Sequence, residues 1–175
     1  LGARKLLFIP QTYCHITFSE LEENEPKPET CLDAVMIARN LSKIPYITGV
    51  PGSAARWKLA RSLRKHRKIA SDIYGDFWPV KWSKGPVPYK DQGKVIRSAK
   101  ISINWDNWDN YLHYSSDRLP ISAIAGRPHI TTFHGGMEWF VEGSTGVHQL
   151  KNPNGAIDLL EELLERGDDV NFKEG

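Results

Sequence analysis

The sequence predicts an α/β domain, a parallel β-sheet with helices on both faces, and three observations carry that reading. Short apolar runs alternate with segments of helical spacing, in the order strand, helix, strand, helix along most of the chain. The runs end in glycine-bearing turns, Gly52-Ser53, Gly75 and His134-Gly135-Gly136. Parallel sheets bind ligands in the crevice beyond the carboxyl ends of their strands. The composition, 40% apolar and 25% charged over 175 residues, suits one globular domain with a real core.

The elements follow in order. Arg4–Gln11 is a short apolar run ending at a proline and reads as a strand, and the acidic, proline-bearing Ser19–Thr30 as a linker. Cys31–Ala38 is apolar between polar flanks and reads as a buried strand, although periodicity alone does not separate it from a helical turn. A strand at Tyr46–Val50 precedes the clearest helix of the first half, Ser53–His66. There Ser53 is placed to cap, and Trp57, Ala60 and Leu63 recur at helical spacing. Lys68–Phe77 reads as a strand broken by Gly75, the proline-rich stretch after it as loop, and Tyr89–Ala99 as a short helix. Lys100–Trp105 alternates as a strand does, and the tandem Asn-Trp-Asp that follows reads as a loop with stacked aromatics. Ser116 or Asp117 caps a helix through Ala125, Gly126 stops it, and 127–133 is the next strand. A short helix starts after Gly136. The terminal helix has caps at Asn152 and Asn154, an apolar stripe of Ile157, Leu160 and Leu164, and Gly167 at its end.

Charge and cysteine content narrow the function classes. Net charge is +2, so the whole chain is not built for polyanions, yet Arg56–Lys68 carries seven Lys or Arg and no acid. That helix is either a solvated face or a nucleic-acid surface with Trp57, Trp78, Trp82 and Tyr89 as stacking groups. Cys14 and Cys31 are the only cysteines, which suggests free thiols in a reducing, cytoplasmic setting, with one disulfide as the other reading. No apolar run approaches the roughly 18 residues of a membrane span. Cys14-His15 and Cys31 lack zinc spacing, the Asp106/Asp109 pair has no third ligand in sight, and no Ser-His-Asp elbow or Walker A loop occurs.

Two cations sit where they oppose a helix dipole. Arg118 falls in the first turn of its helix, at a cost of roughly 0.3–1 kcal/mol. Either its stem packs down and its guanidinium pairs with Asp117, or a bound diphosphate reverses the local field. Arg56, just after a glycine turn and a serine, repeats the plan. Gly135-Gly136 is either an ordinary turn or a cradle of N–H groups, and His134 either a surface group or a donor to a sugar hydroxyl or phosphate. The residues alone point to an α/β domain that holds an anionic ligand at its strand ends.

The succession "DIYGDFW", "GPVPYKD", "IRSAKISINW" and "SDRLPISAIAGRPHITTFHGGMEWF" resembles the C-terminal half of GT-B glycosyltransferases, nearest the CgeB-like, spore-maturation-type group. The likeness spans roughly Leu32 to Leu164, with Arg118–Phe140 its specific part. It implies a Rossmann-like domain, residues 32–175, that binds a nucleotide-diphosphate sugar for transfer to an acceptor it does not name. Residues 1–31 would be the connector or last strand of a missing N-terminal half. The resemblance implies a donor-phosphate loop at Gly52, Ser53 and Arg56, a strand end at Gly75, and nucleobase contacts near Val87 and Tyr89. Asn104 and Trp105 would border the sugar cleft, Arg118, Leu119 and Pro120 lie at the ribose-phosphate helix, and His134, Gly135 and Gly136 at the sugar. It also implies independence of metals and of any cofactor besides the donor. The catalytic role, stabilising the departing diphosphate, would fall to Arg56 and Arg118, with Lys81 third. The sequence departs from the family at Ile121, where many members have a glutamate for the ribose hydroxyls. That contact passes to Asp117 or Ser122, or the domain is a degenerate one kept for interactions.

Overall fold

The computed structural model describes residues 17, 18, 21, 32–41, 50–109, 111–141 and 146–167. The expected strands at Arg4–Gln11 and Tyr46–Val50 and the linker Ser19–Thr30 lie outside them, apart from Leu21 and a non-strand Val50, as do Cys14, His15 and Cys31.

Five strands, β1 (Leu32–Ile37), β2 (Ser71–Tyr74), β3 (Ala99–Ile103), β4 (His129–Thr132) and β5 (Val147–Leu150), form one sheet of order β2-β1-β3-β4-β5. Every pairing is parallel, with Val35 opposite Asp72 on one side and Ser102 on the other. The helices between them are α1 (Ser53–Lys65), α2 (Gln92–Arg97), α3 (Arg118–Ile124), α4 (Glu138–Val141) and α5 (Ala156–Arg166). The fold is the expected Rossmann-like α/β layering.

β1 is the central strand, and its sequence shows why. Ala34, Val35 and Met36 are fully buried, as a strand covered on both faces requires. Ala34 and Met36 face a core with Leu59, Ala60 and Leu63 of α1 and Leu160 and Leu163 of α5. Val35 and Ile37 face a second core with Ile96 of α2 and Ile121 and Ala125 of α3. Ile121 therefore belongs to the second core, which explains an apolar residue at that helix position.

The structure differs from the sequence reading in three places. β5 was absent from it, because Val147 and Leu150 flank His148 and Gln149 and make no apolar run; β4 pairing, not hydropathy, creates this half-exposed edge strand. The buried stripe of α5 is Ala156, Leu160 and Leu163, with Ile157 and Leu164 only partly covered. Ser53 does not cap α1: the N-cap is Gly52, and the Ser53 hydroxyl donates to the Val50 carbonyl at 2.9 Å.

Candidate functional site

In this sheet order the chain leaves β1 to build β2 on one side and returns to build β3 on the other. The crevice at the carboxyl ends of β1 and β3 is the topological switch point of such a sheet. A cavity of about 450 Å³ opens there. Ile37, Ala38 and Arg39 line it from the end of β1, and Gly75 and Asp76 from the end of β2. Pro86 and Val87 contribute from the proline-rich loop, and Asn104 and Asn107 from the segment after β3. Tyr114, Ser116, Asp117 and Arg118 close it on the approach to α3, while Arg56 and Gln92 reach in from α1 and α2.

The two arginines singled out in the sequence meet at this cavity. Arg56 is 7% exposed. Its Nε donates to the Trp105 carbonyl and another guanidinium nitrogen donates to the Arg39 carbonyl at 3.1 Å. Those carbonyls hang from the ends of β3 and β1, so the sheet itself aims the guanidinium. Burial lowers the Arg56 pKa to about 10; the Asp106 carboxylate works against that fall and the Arg118 cation adds to it. The group stays cationic at neutral pH. Arg118 pairs with its neighbour Asp117, which also takes a hydrogen bond from the Ser116 hydroxyl at 3.3 Å. The Arg118 Nε is buried without a hydrogen-bond partner. The pairing with Asp117 is thus observed, and the Arg118 Nε is a donor that this pair does not use.

Asp106, 1% exposed, organises the wall beside Arg56. Its carboxylate accepts from Asn104 Nδ2 at 2.8 Å and bonds His134 Nε2 at 2.9 Å, while its backbone N–H donates to Thr132 Oγ1 at 2.8 Å. Burial, and then the Asp106 charge, push the Tyr114 phenol above its ordinary pKa, so it stays protonated.

Of the expected site residues, Arg56, Gly75, Val87, Asn104, Asp117 and Arg118 line the cavity. The others do not, and each has a packing reason. Gly52 lies against the backbone after β3, where an added Cβ would fall 1.9 Å from the Asp106 carbonyl oxygen. Ser53 is spent on Val50, as above. Trp105 is buried, its indole reaching Asp109 at 3.3 Å, and contributes through the carbonyl that holds Arg56. Tyr89 packs edge-on against Phe18 at 5.3 Å. Leu119 and Pro120 are buried in α3, and Ser122 is turned inward to His129 at 3.2 Å. His134 is no surface group: it is 2% exposed, held between Asp106 and the Tyr111 carbonyl. Gly135 and Gly136 back onto Leu112 and His113, and Gly136, at φ +82°, has no room for a Cβ beside the His113 ring. Lys81 is exposed and outside the cavity.

Sequence reasoning missed Arg39, Asp76, Gln92, Asn107, Tyr114 and Ser116. Except for Gln92, all follow a strand end or precede a helix start, so the switch-point rule applied to the strand order would have found them. Gln92 carries no such signal, because a glutamine at the start of a helix looks like any solvated residue.

The surface alternative fares differently. Trp57, Trp78 and Trp82 stack on one another, with centroids 4.7 Å apart for Trp57 and Trp82 and 5.8 Å for Trp57 and Trp78. The Trp78 indole donates to the Ala38 carbonyl at 2.7 Å. These rings cover the core rather than present a row of free faces. Among the described residues, no group of three or more His, Cys, Asp or Glu is placed to hold a metal ion, and no helix is long and apolar enough to cross a membrane.

No protein-family model and no curated protein matches the sequence. Solved structures do share its fold. The crystal structure of an α1,3-fucosyltransferase superposes with a TM-score of 0.56 at 13% identity, covering 89% of this chain and 41% of that one. A point mutant of S. aureus TarM, in complex with Fondaparinux, alpha-GlcNAc-glycerol and UDP, does so with a TM-score of 0.53 at 16% identity, over 85% of this chain and 31% of that one. The GtfA/B complex gives a TM-score of 0.52 at 14% identity, over 83% and 31%. The shared fold is one Rossmann-like α/β domain, found within each of these glycosyltransferases. This chain spans less than half the length of each of those chains.

Proposed function

We propose that this chain is the donor-binding domain of a glycosyltransferase and that Arg56 and Arg118 hold the diphosphate of a nucleotide-diphosphate sugar. One observation carries the reading. Guanidinium groups from two separate elements line one cavity at the sheet's switch point, and one of them keeps a buried donor without a partner. A diphosphate supplies several acceptor oxygens and the negative charge that a desolvated Arg56 lacks. The likeness to glycosyltransferases, one of them bound to UDP, supports the same class. The CgeB-like likeness of the Arg118–Phe140 block and a reducing, cytoplasmic setting belong with this reading.

The chemistry follows from the leaving group. As the bond from sugar to diphosphate breaks, charge builds on the phosphate oxygens. Donors already fixed in place stabilise that charge more than the ground state, which is the condition for lowering a barrier. The Trp105 and Arg39 carbonyls fix Arg56 in this way before any ligand arrives. In this reading the acceptor and its base come from a second half, and residues 1–31 lead from it.

The test is a thermal-shift panel with UDP, GDP, dTDP and ADP at millimolar concentration. A ligand that binds only the folded chain raises the midpoint in proportion to RT ln(1 + [L]/Kd). The expected result is a shift with at least one of them that weakens in Arg118→Ala. No shift with any of the four overturns the proposal. A shift that Arg118→Ala leaves unchanged favours a domain kept for interactions.

A further inference from the structure

The outer face of α1 carries charge that the fold does not use. The buried residues of this helix, Arg56, Leu59, Ala60 and Leu63, share one side. Lys58, Arg61 and Lys65 recur at i, i+3 and i+7 on the opposite side, and all are exposed. A cation in the last turn suits the helix dipole, which accounts for Lys65; Lys58 and Arg61 lie too early to gain from it. Among the described residues none of the three is in an ion pair. Arg64, on the flank, carries the basic face onto the next segment by donating to the Lys81 carbonyl at 3.4 Å.

That segment projects apolar groups into solvent. The turn Pro79–Trp82 is closed by the Trp82 N–H on the Pro79 carbonyl at 2.7 Å and is braced against α1 by the stacking of Trp82 on Trp57. Val80, inside the turn, is 96% exposed, and Phe77 just before it is 52% exposed. Phe77 also holds φ at 65°, a region that bulky side chains avoid, and its carbonyl is pinned there by Asn40 Nδ2 at 2.9 Å. Strained backbone that leaves an aromatic ring half in solvent adds little to the core and suits a contact made outside the chain. Asp72 and Asp76, on and just after β2, are matched by Lys84 and Arg39. On the other flank of α1, His66 meets Glu161 of α5, whose exposed Asp158, Glu162 and Glu165 repel an anionic surface. The attractive footprint therefore runs from α1 towards the turn.

We propose that α1 and the turn Pro79–Trp82 dock on an anionic lipid bilayer, with Lys58, Arg61, Arg64, Lys65 and Lys81 against the headgroups and Val80 and Phe77 at the acyl boundary. Charge complementarity selects the anionic surface, and the projecting apolar pair selects a bilayer over other polyanions. The half-buried Trp57 and Trp82 lie between the two, at the level where indole rings favour a membrane interface. A nucleic acid matches the charge but not the aliphatic tip, and these rings stack on one another instead of opening to bases. None of the docking residues lines the cavity, so this surface is independent of the donor-binding reading.

The experiment is co-sedimentation of the full chain with vesicles of phosphatidylcholine alone and of phosphatidylcholine with about one-third phosphatidylglycerol, at low and high salt, beside anisotropy titrations of a labelled single strand and a duplex. The expected result is binding to the anionic vesicles at least about twentyfold tighter than to the neutral ones, falling about tenfold at high salt. The combined Lys58→Glu, Arg61→Glu and Lys65→Glu variant should bind anionic vesicles no better than neutral ones, and Val80→Asp should weaken that binding about tenfold. Because these side chains are exposed, the melting midpoint and the nucleotide thermal shifts should not move. Should the triple reversal lower the midpoint, Lys58→Gln with Arg61→Gln replaces it, with an expected loss of about fivefold. Equal binding to both vesicles, or binding to neither, overturns the proposal. So does anionic binding that Val80→Asp leaves unchanged, or oligonucleotide binding at least as tight as vesicle binding, which assigns the face to a nucleic acid. Each of these failures leaves the donor-binding reading standing, since that is tested by nucleotides alone.

Discussion

His129 is the most quantitative handle on this fold. It lies in the buried strand β4 with no exposure, its Nδ1 between the Ser102 and Ser122 hydroxyls at 3.0 and 3.2 Å and its Nε2 without a partner. Burial lowers its pKa from 6.5 to about 4; the Asp106 charge works against that fall, and Arg118 and His148 add to it. The unfolded chain therefore binds a proton at higher pH than the folded one. The stability tied to the neutral ring is fully present above about pH 6.5 and is lost as pH falls towards 4. Between those values the linkage integral gives a loss of about 2 kcal/mol at pH 5 and about 3 kcal/mol at pH 4, relative to pH 7. Urea denaturation of the wild type and of His129→Gln at pH 7, 6, 5 and 4 isolates this contribution, because an amide keeps hydrogen bonds to the serines but does not titrate. The expected result is a free-energy difference between the two chains that narrows by about 3 kcal/mol from pH 7 to pH 4. Parallel pH profiles would refute the reasoning.

Other outcomes follow from the site and its supports. Gly75 sits at φ +125°, and an added Cβ would fall 2.0 Å from the Ala38 carbonyl oxygen. Gly75→Ala must push the end of β2 away from β1, at a cost of about 2–4 kcal/mol measured by denaturation, with nucleotide binding weakened as the cavity wall moves. Arg118→Ala removes a partly exposed side chain whose ion pair is local, so it should leave the melting midpoint nearly unchanged and weaken nucleoside diphosphate binding by roughly ten- to a hundredfold in calorimetry. Arg56→Met should weaken binding at least as much and also lower stability, because the Trp105 and Arg39 carbonyls lose their donors. Reversing charge at Lys58 and Arg61, on the exposed face of α1, should alter nucleotide affinity by no more than about twofold. A tenfold loss would place the ligand on that face instead of in the cavity.

The central sheet was legible because burial on both faces leaves a dense apolar record, as in Leu32–Ile37 and Ala99–Ile103. β5 was not, because an edge strand borrows its shape from β4 and needs few apolar residues of its own. Arg56 and Arg118 stood out because each is a cation where a helix start disfavours one, an anomaly visible without coordinates. His134 and the glycine pair stood out equally, yet proximity in sequence to a strand end did not say which way the imidazole points. It points inward, to Asp106, which the sequence offered only as one of the Asp106/Asp109 pair weighed as a cation site. Polar residues that serve the interior and those that serve a ligand have the same letters. Only the packing around Gln92 and Asn104 separates them from solvated amides.

Asp106 shows why the odd features of this sequence cluster as they do. Its carbonyl oxygen sits where Gly52 would carry a side chain, so the start of α1 is pressed against the loop after β3. The Gly52 N–H donates to the Asn107 carbonyl at 2.8 Å, and one turn on, Arg56 reaches back to Trp105. The Asp106 carboxylate meanwhile holds Asn104 and His134 and offsets part of the desolvation of Arg56. A glycine turn, a buried cation and a buried histidine that looked like three separate ligand contacts are thus linked through one carboxylate-bearing residue. Of these, only the guanidinium lines the cavity. The tight turn fixes where that cation stands, and the carboxylate offsets part of its desolvation. In the proposed reading, diphosphate binding therefore depends on residues that do not line the cavity.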